Sequence, residues 1–420
     1  MIELLTIGDE LLSGRTADTN AHFIARELTE AGLSATRFSS VGDQPEAIRR
    51  ALTTLLPDTR FVIATGGLGP TDDDLTASAV AATFGRELVV SEAAIANMER
   101  RYREFGRPMP DAAKKQAVLP QGCEAIDNPV GTACGFMIQD GQRQFFFLPG
   151  VPEEVHAMTG FIIEHIRAYC GMRQIIKSRT LKVFGLWESK IQELLKGRLP
   201  ELPAVALGYY PSFPEVSLKI TATGSDEEQI EQELQLFQAA IQACIGEYIY
   251  SENNEPLEEV VGRLLAGRKA TLAVAESCTG GLITHRLTNV AGSSAYVERS
   301  FIVYSNMAKQ ELLAVPEAVL AGHGAVSEPV ARLMAEGARQ AAGTTYGLSV
   351  TGIAGPDGGT PEKPVGTVFI GVAAPDETMV KKMFYPGTRE KVKMMTSQMA
   401  LNLLRLALLG NTRESGLKKF

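Results

Sequence analysis

The sequence predicts an α/β protein of several domains, on three observations. Apolar β-type runs alternate with helical runs from Met1 to about Cys170 and again from Pro256 onward, the order that builds parallel, doubly wound sheets. The apolar runs FVIATGG (Phe61 to Gly67) and TLAVA (Thr271 to Ala275) lead directly into glycine-rich turns, the place where open α/β sheets hold their ligands. A chain of 420 residues also exceeds one ordinary hydrophobic core, so two or three domains are expected.

Taken in order, LLTIG is a first strand, TNAHFIARELTEAG a helix stopped at Gly32, SATRFSSVG a second strand, and PEAIRRALTTLL a second helix. FVIATGG follows as a fully apolar strand, and the whole run implies a parallel, right-handed sheet with ligands at its carboxyl edge. The texture changes between Ile175 and Tyr250. SRTLKVFG and EVSLKITATG alternate with period two, while SKIQELLKG and EEQIEQELQLFQAAIQACIG have helical character, which together suggest a small α+β module of the ferredoxin-like or KH-like kind. The GxxG loop of a nucleic-acid-binding KH domain is missing, so a spacer or dimerisation role is expected. ENNEPLEE (Glu252 to Glu259) reads as a linker that caps the next helix. Helix and strand then alternate up to the apolar helix around MTSQMALNLLRLALLG, after which NTRESGLKKF is expected to fray. The expected domains are residues 1–170, 175–250 and 255–412.

Hydrophobic residues make up 45% and charged residues 21% of the chain, the composition of a folded globular protein. A net charge of -8 argues against a nucleic-acid partner. The five scattered cysteines show no C-x-x-C spacing and are expected to be reduced thiols, with no structural zinc. No apolar segment is long enough to span a bilayer, and the N-terminus lacks a basic leader region; a cytoplasmic protein without a membrane partner is expected.

Two turns carry chemistry. ATGGLGPTDDDLT (Ala64 to Thr76) sets glycines after a buried strand and follows them with Asp72, Asp73, Asp74 and Thr76. Glycines admit an anionic group to the backbone amides, and carboxylates hold a hard divalent cation. The same letters also describe a turn with an acidic helix cap. In the second, AESCTGG, the choice lies among Ser277, Cys278 and Thr279. A Ser-His-Asp triad lacks a placed histidine, since His285 and His323 read as surface or cap residues. Lysine is the alternative base, and YSNMAKQELL supplies Lys309 beside Tyr304. Cys278 reads as a small packing residue.

GDELLSG, DTN, VGD, GGLGPTDDDLT, NPVGTACGF and LPGVP together resemble the molybdopterin-binding (MoCF-biosynthesis) domain in the form found in the CinA, or competence/damage-inducible, family. That resemblance extends over essentially the whole chain. It implies an α/β fold class with an N-terminal doubly wound molybdopterin-binding-like domain, a small α+β KH-like middle domain and a C-terminal α/β deamidase domain. It further implies a phosphorylated-ligand site at Glu10, Asn20, Gly66, Gly67, Gly69, Thr76, Gly131, Thr132, Pro149 and Gly150. Asp43, Asp72 and Asp74 are implied as metal ligands for magnesium or cobalt, with potassium as a further activator. The activity implied is ADP-ribose pyrophosphatase.

ESCTGG, YSNMAK, SVTGIAGPDGG and KPVGTVFIG are similar to the motifs of PncC-type nicotinamide mononucleotide amidohydrolases. The resemblance implies Ser277 as nucleophile, Lys309 and Tyr304 as the proton-transfer pair, and no cofactor. Substrate contacts are implied for Thr279, Gly280, Gly281, Thr351, Gly352 and Arg389. Whether the glycine amides hold the oxyanion or the substrate phosphate is open, and Arg389 reads equally as a phosphate ligand or as a surface residue at a helix start. The expected protein is a homodimeric hydrolase of pyridine-nucleotide salvage acting on nicotinamide mononucleotide and ADP-ribose. The rival expectation is an N-terminal domain that binds a molybdopterin-like ligand or nucleotide without catalysis, in a scaffold or competence-associated role.

Overall fold

A computed structural model describes residues 1–172 and 174–410. The polar tail from Asn411, expected to fray, lies outside the described residues, as does the last part of the 255–412 segment. The chain forms two compact units, Met1–Ile176 and Lys177–Phe420.

The first unit is a mixed sheet between helices. Its strands are β1 (Ile2–Ile7), β2 (Ala35–Val41), β3 (Phe61–Thr65), β6 (Glu124–Ile126), β7 (Gly135–Asp140) and β8 (Arg143–Leu148), in the order β2-β1-β3-β8-β7-β6; β4 (Leu88–Val90) and β5 (Val118–Pro120) pair separately. Every residue of β1 and β3 is buried, as central strands covered on both faces require, whereas edge strand β2 has no fully buried residue. The helices are α1 (Asp9–Leu12), α2 (Thr19–Glu30), α3 (Pro45–Thr53), α4 (Thr76–Thr83), α5 (Glu92–Glu104) and α6 (Pro152–Tyr169). Asp18 caps α2 by accepting from the Ala21 amide at 2.9 Å, and α3 and α6 each begin with proline, which lacks only an N–H that would be unpaired there.

The expectation of a wholly parallel sheet is corrected here. β2, β1, β3 and β8 run parallel, but β7 runs antiparallel to both its neighbours, β8 and β6. The cause is local: only Gly141 and Gln142 join β7 to β8, with Gly141 at φ 55°, and a two-residue connection cannot return a parallel strand.

The second unit holds the middle and C-terminal segments. β9 (Ile175–Val183), β10 (Val205–Ser212), β11 (Glu215–Gly224) and β12 (Ile249–Ser251) form a sheet in the order β10-β11-β9-β12, accompanied by α7 (Glu188–Leu195) and α8 (Glu227–Ile245). β11 alternates buried and half-buried residues along most of its length, the pattern of a sheet with one covered face. The following segment is not a loose tether. Glu252 accepts from Gln238 at 2.8 Å, and Glu255 pairs with Arg263 at 3.0 Å. Pro256 then starts α9 (Leu257–Gly267).

The C-terminal sheet has the order β14-β13-β15-β16-β17, from β13 (Leu272–Glu276), β14 (Val297–Ile302), β15 (Tyr346–Gly352), β16 (Thr367–Ala373) and β17 (Thr378–Phe384). Along β13, Leu272 and Val274 enter the core shared with α9 and α14 (Arg389–Leu408), while Ala273 and Ala275 enter the core of α11 (Asn306–Leu313), α12 (Glu317–His323) and α13 (Glu328–Ala342). The period-two alternation of a strand thus feeds two cores at once. Phe184 and Tyr250 of the middle segment pack in the first of these cores. The remaining helix, α10 (Leu282–Thr288), follows β13 directly.

Candidate functional site

In the first unit the parallel strands end together, and their outgoing loops enclose a cavity of about 470 Å³. Gly8 and Glu10 reach it from β1, Asp43 from β2, Gly66 to Pro70 with Asp73 and Asp74 from β3, and Pro149 and Gly150 from β8. Gly66 has φ 109°, and a side chain there would strike the Ile7 carbonyl, so the close crossing of two loops needs glycine. Of the residues the sequence singled out, Glu10, Asp43, Gly66, Gly67, Gly69, Asp74, Thr132, Pro149 and Gly150 line the cavity.

Four others do not line it. Thr76 is buried and its hydroxyl donates to the Gly66 carbonyl at 2.9 Å. Asn20 donates to the Gly150 carbonyl at 2.8 Å. The Gly131 amide donates to Asn128 Oδ1 at 2.8 Å. These three shape the loops. Asp72 is exposed, and Asp73 takes its expected place in the lining. The reason is the turn itself: Asp74 Oδ2 accepts from the Thr71 amide at 2.8 Å and from its hydroxyl at 2.6 Å, which closes the loop around residues 71–74.

The cavity is acidic. Asp43 exchanges hydrogen bonds with Asp9, at 3.0 and 3.3 Å. Burial raises the Asp43 pKa, and the Asp9, Glu10 and Asp73 carboxylates raise it further, against the lowering by the Asp9 amide. Sequence reading missed Glu154, which also lines the cavity; burial pushes its pKa up although Asn128 donates to it at 3.1 Å. Among the described residues no group of three or more His, Cys, Asp or Glu side chains is placed to hold a metal ion unaided. The crowding of carboxylates around Asp43 nevertheless fits a hard divalent cation of the kind that takes one or two protein carboxylates and completes its shell with phosphate oxygens and water.

The second constellation lies in the second unit, where β13 gives way to α10 through Ser277–Gly281. Gly280 and Gly281 have φ 62° and 98°, which turns the chain into α10 at little strain. Lys309, on the first turns of α11, is almost entirely buried, and its Nζ lies 3.3 Å from Ser277 Oγ. The same ammonium group reaches the carbonyl oxygens of Val303 (2.7 Å), Tyr304 (3.2 Å) and Ser305 (3.4 Å). None of these partners is a carboxylate, and burial lowers the Lys309 pKa. Burial pushes the Cys278 thiol up to about 12, so the neighbouring sulfur is no thiolate near neutrality. His285 and His323 are both exposed.

Several expected roles change. The Tyr304 phenol is 62% exposed and accepts from Arg389 at 2.9 Å; toward Lys309 it is the Tyr304 main-chain carbonyl that acts. Arg389 also donates to the Gly355 carbonyl at 2.7 Å, so it ties two loops together. β15 continues through Thr351 and Gly352, the two residues for which substrate contacts were expected. There the Thr351 hydroxyl donates to Ala325 at 2.8 Å, and Gly352 packs against Val368.

Glu276 was missed by sequence reading, although an acid closing an apolar strand is a visible signal. It is fully buried. Its carboxylate accepts from the amides of Gly281 (3.0 Å), Ile283 (3.1 Å) and Thr284 (2.9 Å) and from the Thr284 hydroxyl (2.8 Å). A carboxylate at a helix N-terminus satisfies amides that would otherwise be unpaired. The Gly280 amide is also engaged, donating to Ser277 O at 3.2 Å. Neither glycine amide is therefore available to an oxyanion or a phosphate. Thr279 is fully buried with its hydroxyl unpartnered.

Residues 3–168 match the family described as "Probable molybdopterin binding domain", 178–251 the "Damage-inducible protein CinA KH domain", and 254–408 the "CinA C-terminal domain". A CinA-like protein of Citrifermentans bemidjiense is 45% identical over 97% of both chains, and one of Geobacter sp. is 44% identical over 97% of both. The crystal structure of the competence/damage inducible protein CihA from Agrobacterium tumefaciens is 40% identical, covers 36% of this chain and 95% of its own, and has a TM-score of 0.35. Among the described residues no helix is long and apolar enough to cross a membrane. With full-length relatives at this identity and three consecutive domain matches, the chain belongs to the CinA family.

Proposed function

We propose that the chain is a bifunctional hydrolase: its C-terminal domain deamidates nicotinamide mononucleotide, and its N-terminal domain hydrolyses ADP-ribose to AMP and ribose 5-phosphate. The observation that carries the first activity is the 3.3 Å contact between buried Lys309 Nζ and Ser277 Oγ. A lysine neutralised by desolvation accepts the hydroxyl proton as Ser277 Oγ attacks the carboxamide carbon. The resulting ammonium returns that proton to the departing nitrogen, ammonia leaves, and an acyl ester remains on Ser277. Water then attacks the ester, Lys309 takes the water's proton and passes it to Ser277 Oγ, and the carboxylate product departs. With the glycine amides engaged, the Cys278 and Thr279 amides are the turn's candidates for oxyanion donors, the positions that follow the nucleophile. The deciding experiment measures ammonia release from nicotinamide mononucleotide by purified wild-type and Ser277→Ala protein. Equal release from both removes the assignment.

For the N-terminal domain, Asp43, Asp73 and Asp74 would hold a divalent cation. When bound, that cation would neutralise pyrophosphate charge and lower the pKa of attacking water. Glu10 and Glu154 line the same cavity, and the raised pKa of Glu154 suits it to carry a proton. A second reading, binding without hydrolysis, is favoured by the absence of a preformed metal cage among the described residues. AMP release from ADP-ribose with and without chelator separates the two.

A further inference from the structure

Lys393 stands on the first turns of α14, half-buried, and its Nζ lies 3.9 Å from where a Cβ on Gly280 would be. It overlooks the exposed glycine of the nucleophile turn. The cations around it are already committed: Arg389 to Gly355 O and the Tyr304 phenol, Lys363 to the His323 carbonyl at 2.8 Å, and Lys391 to the face of Phe213 at 5.9 Å. Lys393 has no hydrogen-bond or ion-pair partner among the described residues. Its charge is nonetheless felt inside the site, since both Lys309 and Lys393 act on the Cys278 thiol. The nearest carboxylate in the turn, Glu276, already accepts from four donors. The turn thus faces one ammonium group without a free counter-ion, that of Lys393, and an anionic ligand would complete it.

We propose that Lys393 is the phosphate anchor of the C-terminal site, pairing with the 5′-phosphate of a mononucleotide whose carboxamide lies at Ser277. The inference rests on the deamidase reading for the identity of the substrate, but the anion site itself does not. A lysine serves here as a compact point charge, and the N-terminal turn of α14 adds its partial positive charge on the same side. Arg389 then becomes a residue that positions the rim, and the selectivity for nucleotide over nucleoside resides in Lys393.

The test uses the full chain. Steady-state deamidation of nicotinamide mononucleotide and of the corresponding nucleoside is measured for wild type, Lys393→Met and Lys393→Arg, and binding of inorganic phosphate is titrated calorimetrically. Lys393→Met is expected to raise KM for the nucleotide at least ~10-fold more than for the nucleoside, with kcat falling much less, and to abolish phosphate binding. Lys393→Arg should restore most of both. Equal losses on the two substrates, or phosphate bound by Lys393→Met as tightly as by wild type, would overturn the proposal. If wild type binds phosphate through Lys393 yet releases no ammonia from the nucleotide, the anion site stands and the deamidase reading falls.

Discussion

Lys309 Nζ is held 3.3 Å from Ser277 Oγ by main-chain carbonyl oxygens of residues 303, 304 and 305. The amine is therefore oriented by backbone alone, without an acid that would keep it protonated. Lys309→Met should lower kcat for ammonia release about 10³-fold or more, as for other paired nucleophile and base groups. An unchanged rate would remove lysine from the mechanism.

The lowered pKa of Lys309 has two pH signatures. Activity should fall on the acid side, tenfold per pH unit below the lysine's pKa. Stability follows the proton count: between the lowered folded value and the ordinary 10.5, the unfolded chain binds more protons than the folded one. Lys309 therefore stabilises the fold fully only above its ordinary value and progressively less as pH falls. The Tm of wild type minus that of Lys309→Met should accordingly rise from pH 7 toward pH 10, and a flat difference would contradict a desolvated lysine.

Glu276 and Thr284 predict a folding defect coupled to lost activity. Glu276→Ala strands one buried and two part-buried amides and a hydroxyl, at a cost of at least ~2 kcal/mol. Both Tm and kcat should drop, with Glu276→Gln intermediate because it keeps one acceptor oxygen. Thermal denaturation beside ammonia assays checks this.

Thr351→Val tests the opposite expectation. Its hydroxyl serves Ala325 O, so its removal should cost ~1 kcal/mol of stability and leave KM for the nucleotide within about twofold. A large KM change would restore Thr351 to the binding site.

In the first unit, Asp43→Asn and Asp73→Asn should each reduce metal-dependent AMP release at least ~10-fold, while Asp72→Asn should matter little. A metal titration of the three variants decides which carboxylates are used, because Asp73 lines the cavity and Asp72 does not.

The strands and glycine turns were legible because fully apolar runs such as Phe61–Thr65 and their terminal glycines are local signals. The Ser277–Lys309 pairing was legible only as a coincidence of residue types, since 32 positions separate them. The reversal of β7 could have been read from the Asp140–Gly141 turn, a strong hairpin signal. Which two of the three consecutive aspartates face the cavity was not legible, because it depends on how Thr71 closes the loop. The fates of Tyr304 and Thr351 were likewise hidden, since a strand's exact end and a side chain's rotation are tertiary outcomes. Lys393 is eighty-four positions beyond Lys309, on a helix whose register against Gly280 no local pattern reveals.

Phe184 and Tyr250 share a core with Leu257, Leu272 and α14. A gene truncated between the middle and C-terminal segments would therefore code for a C-terminal domain with a bared apolar face, prone to association. For this chain the domain junction is a poor place to cut, and any inheritance or engineering of the C-terminal half alone would need polar replacements where those two aromatic side chains pack.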